Sequence, residues 1–410
     1  MLTQNNRDVL LHLSLNNKVI GPATAFKLLR HLHNELFPDV LHAGWMEVIE
    51  HHHLMDMSVL YSYSSADFVK KVGLSEKLAT SIVEWLASRV RLDDELAKAQ
   101  HYGIKIITIL DTAYPEILKQ ITHPPLILYL EGSLPAPAVK CMGIVGSRKA
   151  TDYANTVLKN MIPDLLAQEW CIVSGGALGA DTMAHTITLD NGGTTVAVLG
   201  SGLLHPYPDV NIPLFRRIVQ SGGGVLSIFP LMEEPERHNF PARNRVIAGL
   251  SLGCLVVQAA AKSGALITAS CALEQGRQVF AVPGMIYDEL SAGCHQLIKQ
   301  GAKLVNTVTD ILEEFGTVYQ QSSLIRPAVR TTFDEHDMTS ASPVAGQAQP
   351  INNDDPATAL LMGCLQEPAS LDELLDKTGF QVSDLQDRLF SLQLDGRVRQ
   401  TFVGSWERVL

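Results

Sequence analysis

The chain has 410 residues, 46% of them hydrophobic and 18% charged. That is enough apolar material for two or three domains, and it excludes a disordered chain. The formal net charge of −11 excludes general affinity for polyanions, so any contact with nucleic acid has to come from a local basic patch.

Residues 1 to about 100 read as helical. Apolar spacing suits a helix at Val9-Leu10-Leu11-Leu13 and again at Phe26-Leu28-Leu29-Leu32, with Gly21-Pro22 as the break. The first residues, MLTQNNRDVLLHL, lack a basic-then-apolar leader, and no apolar run approaches a membrane span. A cytoplasmic protein is expected. His51-His52-His53 looks like a metal cluster, but adjacent helical residues point in different directions, and no metal is expected there. Between Phe68 and Leu86 the pattern is helix, Gly73 turn, then a helix beginning near Ser75. This unit could touch a DNA backbone through Lys70, Lys71 and Lys77; the plainer reading, a small packing module, is preferred.

From Tyr102 the pattern changes to short strands, Ile104 to Leu110 and Leu126 to Tyr129. Tyr114-Pro115 and Pro124-Pro125 lie between them, which suggests a connector packed on a following domain. That domain spans about 139 to 316. Its apolar runs are Gly143–Val145, Ile172–Ser174, Thr195–Leu199, Val225–Ile228, Cys254–Val257, Val279–Val282 and Lys303–Val305. Helical segments separate them at Ala154–Gln168, Ala180–Leu189, Ile212–Gln220, Arg245–Leu250, Ala265–Gln275 and Cys294–Gln300. Continuous apolar runs mark strands covered on both faces, so the expected fold is α/β, a Rossmann-like doubly wound parallel sheet. The six cysteines (Cys141, Cys171, Cys254, Cys271, Cys294 and Cys364) contain no C-x-x-C pair and read as reduced core thiols.

Residues 317–356 are rich in Ser, Thr, Pro, Gln, Asp and Asn and read as a flexible linker. Residues 357–410 have a winged-helix pattern, with Ser370-x-x-Glu373 as a capping box and a Gly-centred pair of short strands from Val398 to Val409. Over 351–410, ten Asp/Glu face five Lys/Arg. A DNA-reading helix should be basic, so a protein-contact or autoregulatory role is expected for this unit.

In an open α/β sheet the site lies beyond the carboxyl ends of the strands. Those ends read Gly146-Ser147-Arg148-Lys149, Ser174-Gly175-Gly176 with Gly179, Gly200-Ser201-Gly202, Phe229-Pro230, Ala260-Ala261-Lys262-Ser263-Gly264 and Pro283-Gly284. Small residues after nearly every strand would let an extended ligand approach backbone N–H groups, which favour phosphates at helix starts. The segment ERHNFPARNRVIAGLS adds Phe240, Arg243, Asn244 and Arg245. An aromatic ring beside guanidinium groups suits unstacked bases and their backbone, as in single-stranded DNA. In the alternative, Phe240 is core and the arginines cap helices or pair with Glu234, Glu236 or Glu274. No G-x-G-x-x-G or P-loop occurs, so no nucleotide cofactor is expected. Asp181 and His185, at i and i+4, read as structural, and no convincing catalytic constellation is present.

GIVGSRKAT, IVSGGALGADTMAH, AVLGSGLLHPYP, GGGVLSIFP, HNFPARNRVIAGLS, KSGALITASCALEQGRQVFAVPG and GCHQLIKQGAKLV occur in this order. With AYPEILKQITHPPLILYLEG before them, they resemble the DNA-processing protein family DprA, also called Smf, across about 100 to 316. The resemblance implies a SAM-like helical domain in front (1–100), the Rossmann-like domain with its connector (101–316), and a winged-helix, DML1-like tail. It implies a bacterial protein of natural transformation that binds and protects incoming single-stranded DNA, helps load the recombinase RecA, and forms a homodimer. By residue, it carries a DNA-binding pocket onto Arg148, the Asn239–Asn244 segment and Lys262. The competing reading is a phosphoribohydrolase-like nucleotide enzyme on a related sheet, with Lys262-Ser263-Gly264, Arg243 and Glu274 standing in for that group's motif.

Overall fold

A computed structural model describes residues 2–16, 19–38, 44–316, 356–365, 371–380, 397–400 and 406–408, with Ala369, Leu385, Arg388, Leu389 and Leu392 in addition. The expected linker, 317–356, lies outside the described residues save for Pro356. The chain falls into two compact units, Met1–Ser323 and Leu324–Leu410.

The first unit is built on one sheet of nine strands. They are β1 (Lys105–Thr108), β2 (Ile127–Gly132), β3 (Cys141–Val145), β4 (Cys171–Ser174), β5 (Thr195–Leu199), β6 (Gly224–Ser227), β7 (Gly253–Val256), β8 (Gln278–Ala281) and β9 (Lys303–Leu304). Their order is β1-β2-β6-β5-β4-β3-β7-β8-β9. All neighbours from β6 across to β9 are parallel. The seven apolar runs of the sequence are the strands β3 to β9, in a doubly wound arrangement.

β1 and β2 differ from the expectation. They are antiparallel strands of the same sheet, with Tyr129 opposite Ser227, and they extend it beyond β6. Ile127, Leu128, Tyr129 and Leu130 are all buried, so this short run has core on both faces, as the parallel strands do.

Successive strand residues feed two separate cores, as the period of two requires. Met142, Ile144, Ile172, Leu255, Val257, Phe280 and Val282 meet Leu158, Ile162 and Trp170 on one face. Val145, Val173, Cys254, Val256 and Ala281 meet Val246, Ile247, Ala269 and Leu297 on the other. Five of the cysteines are buried and all six are free. The amino-terminal helices share that second core through Leu10, Leu28, Leu60 and Ile82. Two polar contacts fix them in place. Buried Asn6 bonds the backbone of Met55 and Met57, and buried Glu95 accepts the Leu231 amide at 2.7 Å.

Between Phe68 and Leu86 a short turn ends at Gly73 in the left-handed region, and Ser75 caps the helix Glu76–Leu86. Phe68, Leu74, Ala79, Ile82 and Leu86 are buried there, while Lys70, Lys71 and Lys77 are exposed. Lys71 is spent on Asp67 and the Tyr63 ring, in keeping with a packing module.

The second unit has the helices Pro356–Cys364 and Leu371–Thr378 and an antiparallel pair, β10 (Val398–Gln400) and β11 (Trp406–Arg408). Its core holds Leu361, Leu365, Leu374, Leu385, Leu389 and Leu392. Among the described residues, no helix is long and apolar enough to cross a membrane.

Candidate nucleic-acid interface

The order of the sheet fixes where a ligand can sit. The chain leaves β3 for β4, β5 and β6 on one side, then returns to β7 on the other side of β3. The loops after β3 and β7 therefore diverge and open a crevice at the carboxyl edge. A cleft of about 300 Å³ occupies it, lined among others by Gly146, Arg148, Phe240, Asn244, Ser263 and Gly264.

Arg148 lines this cleft, and Lys149 and Lys262 are chain neighbours of its lining residues Arg148 and Ser263. Arg148, Lys149 and Lys262 are exposed, and among the described residues none of them is ion-paired. The Arg148 guanidinium carbon lies 5.4 Å from the centre of the Phe240 ring, and Phe240 is half-buried. Tyr207 stands edge-on to the same ring at 6.1 Å and is 41% exposed. Tyr207 is an addition to the residues expected from sequence. The only signal for it is an aromatic in the loop after β5, within His205-Pro206-Tyr207-Pro208.

A helix start completes the cleft. Ser263 caps the helix Gly264–Glu274, its hydroxyl accepting the Ala265 amide at 3.3 Å. The unpaired N–H groups of such a first turn carry partial positive charge, which favours an anion there. Gly264 has open space where a side chain would be, so an extended backbone could approach it closely.

Several residues expected at the ligand instead hold the rim together. Arg243 is only 4% exposed; its guanidinium donates to the Gly175 carbonyl and, at 2.9 Å, to the Val198 carbonyl. Burial lowers its pKa to about 10, with Arg148 pushing the same way and Asp181 opposing, so it stays charged at neutral pH beneath the cleft floor. Arg245 turns out of the cleft: it donates to the Thr122 carbonyl at 2.6 Å and pairs with Glu274 at 3.8 Å. It borders a different cavity, of about 290 Å³, between the amino-terminal helices and the sheet. Ser174 is fully buried and donates to the Ile144 carbonyl at 2.5 Å. The Ser147 amide donates to the Gln258 carbonyl at 2.6 Å, tying the two diverging loops together.

The glycines also do something other than expected. A side chain at Gly175 would run into the Arg243 guanidinium, and one at Gly176 would lie 2.6 Å from Phe215. One at Gly179 would lie 2.7 Å from the Arg148 carbonyl carbon, and one at Gly146 2.7 Å from Ala180. Gly176 and Gly179 have φ of +63° and +78°, where a side chain is strained whatever the space. These glycines let the loops interlock against one another. The Gly175 and Ala177 amides are spent on Asp181, at 3.1 and 3.3 Å.

Asp181 and His185 are likewise turned inward. Burial raises the Asp181 pKa, and Arg243 and the two amides oppose that shift. Thr195 donates to the Ile172 carbonyl, so its oxygen accepts from His185 Nδ1 at 2.7 Å; this assigns the proton to Nδ1 and leaves Nε2 bare. Burial, with Arg243 nearby, lowers the His185 pKa to about 3. Glu274 sits at the far end of its helix from Gly264, about 15 Å for eleven residues, so it cannot act in the cleft.

Comparison with known proteins shows the family and the fold. Residues 105–316 match the DNA recombination-mediator protein A family, and residues 345–401 match the DprA winged helix domain. DNA processing protein DprA of Streptococcus pneumoniae is 42% identical over 55% of this chain and 79% of its own length. Protein Smf of Escherichia coli is 34% identical over 82% of this chain and 85% of its own. The crystal structure of the Streptococcus pneumoniae protein superposes with a TM-score of 0.56, covering 72% of this chain and 98% of that one at 35% identity. With both matches in sequence order, and with the crevice between β3 and β7 inside the first, the chain belongs to the DNA recombination-mediator protein A (DprA, or Smf) family of DNA-processing proteins.

Proposed function

We propose that this protein is a non-catalytic, cytoplasmic mediator that holds single-stranded DNA along the crevice between β3 and β7. The observation that carries the reading is Arg148, an exposed guanidinium, without an ion pair among the described residues, laid over Phe240 at the mouth of the cleft. Arg148, Lys149, Lys262 and the helix start at Gly264 would take consecutive phosphates, while Phe240 and Tyr207 would offer faces to unstacked bases. A duplex keeps its bases stacked and would gain nothing from those rings. Arg243, Asn244 and Gly175 would support the floor; Ser147, Ser174, Gly176 and Gly179 would set the loop shapes.

The wider role proposed here is the one the family resemblance implies. Holding the strand protects it in natural transformation and presents it to RecA. A homodimer would double the DNA path. Exposed apolar side chains near the β9 end of the sheet, Leu304 at 40% and Met285, Ile286 and Tyr287 at 78 to 92%, offer surface for a second copy.

The test is an anisotropy titration with labelled oligothymidine at low salt. Wild type should bind it in preference to duplex, and Arg148→Ala should weaken binding about tenfold or more. Unchanged affinity in the variant would remove Arg148 from the site. Release of free base from nucleoside monophosphates would favour the nucleotide-enzyme reading instead.

A further inference from the structure

The amino-terminal helices hold a second polar cluster that the DNA reading does not use. His33 lies near the end of the helix Pro22–Leu36, while Glu47 and His51 belong to the helix Trp45–Glu50 and its carboxyl cap. His33 Nε2 and His51 Nδ1 are 3.0 Å apart, with their rings stacked at 22°. One potential ligand atom from each of the three residues lies within 4.8 Å of the others. His33 is fully buried; with its Nε2 turned to His51, its Nδ1 has no partner among the described residues. Phe37 packs on both imidazoles at 4.8 and 4.7 Å, giving the cluster an apolar cover.

We propose that His33, Glu47 and His51 bind one divalent transition-metal ion of the zinc class, clamping these two helices together. Two imidazoles and a carboxylate are the donor set for zinc or its neighbours, whereas calcium and magnesium would call for oxygen ligands alone. On a tetrahedral zinc with Zn–N near ~2.1 Å, the two nitrogens stand about 3.4 Å apart. The observed 3.0 Å needs to open by only about 0.4 Å. A simple hydrogen bond between the histidines would account for that distance but not for the converging carboxylate. Among the described residues, Glu47 has no ion pair or side-chain hydrogen bond of its own. Glu47 and His51 are only partly buried, so their side chains can close on an ion, and three protein ligands leave a fourth position for water.

Of the His51-His52-His53 run, only His51 belongs to the site. His52 and His53 turn their Nδ1 atoms back onto the Ile49 and Glu50 carbonyls. They therefore serve as an internal control. The tag-free full chain, stripped with chelator, would be titrated with zinc against a chromogenic chelator, and thermal unfolding followed at each zinc concentration. One equivalent per chain should bind, and the melting temperature should rise with free zinc. Glu47→Gln and His51→Gln should each weaken binding about tenfold or more and abolish the zinc-dependent shift. His52→Gln/His53→Gln should retain both. Because His33 is buried and its replacement could unfold the domain, the absorption band of bound cobalt gives a second readout: intense and tetrahedral in wild type, lost in His51→Gln. Failure to bind one equivalent, or binding that survives Glu47→Gln/His51→Gln and disappears in His52→Gln/His53→Gln, would overturn the proposal.

Discussion

Arg148 and Arg243 both lie close to the Phe240 ring centre, at 5.4 and 5.7 Å, yet they do opposite work. Arg148 is exposed and has no ion pair among the described residues, so Arg148→Ala should leave the urea midpoint where it is, while the proposed DNA affinity should fall. Arg243 is buried on two carbonyls, and removing it takes a donor from each and leaves Asp181 without its cation. Arg243→Met should lower unfolding stability by about 3–5 kcal/mol, measured by urea denaturation. If Arg243→Met weakened DNA binding at unchanged stability, Arg243 would be a contact residue after all. The sequence points to Phe240, Arg148 and Lys262 by residue type and by position after a strand. It does not separate an arginine that faces solvent from one that faces carbonyls, because both stand in the same kind of polar segment. Arg245 shows this most plainly: its partner Glu274 is one of three acids the sequence offers, and only the fold selects among them.

At the scale of elements, the loops after β3 and β4 behave as one interlocked piece. Gly175→Ala would force a methyl group into the Arg243 guanidinium, so it should destabilise by several kcal/mol, and calorimetry should show a lower melting temperature. The helix Ala180–Asp190 brings in a pH dependence. His185 is neutral and buried, with its pKa lowered from 6.5 to about 3. An unfolded chain would bind a proton there below pH 6.5. The stability from neutral His185 is therefore complete above pH 6.5 and declines as pH falls toward 3, by about 1.4 kcal/mol per unit. His185→Asn keeps a donor for Thr195 without the titration, so its acid unfolding curve should be shallower over that window. An equally steep curve would contradict the assignment. Strands and glycine turns are legible in the sequence because β-branched runs ending in glycine have few other uses. The start of the helix at Asn239, six residues before the expected Arg245, is hidden by Pro241, which the first turn of a helix tolerates.

For the whole molecule, the seven parallel strands can be read from continuous apolar runs, but their order cannot. The antiparallel pair β1 and β2 looks like a connector because prolines border it, and its place beside β6 depends on pairing across about a hundred residues. The same long-range pairing makes the crevice, since it sets the loops of β3 and β7 side by side. With a net charge of −11, the proposed DNA binding would rest on a few local cations, here those at that mouth. Its affinity should fall with salt at a log–log slope of about −2 to −3, roughly 0.7 per phosphate neutralised, as a titration series would show. The most direct measurement is a crystal structure with oligothymidine bound. Phosphates should lie against Arg148, Lys149, Lys262 and the helix start at Gly264, with a base on Phe240. A strand lying on another face, with the crevice between β3 and β7 empty, would contradict it.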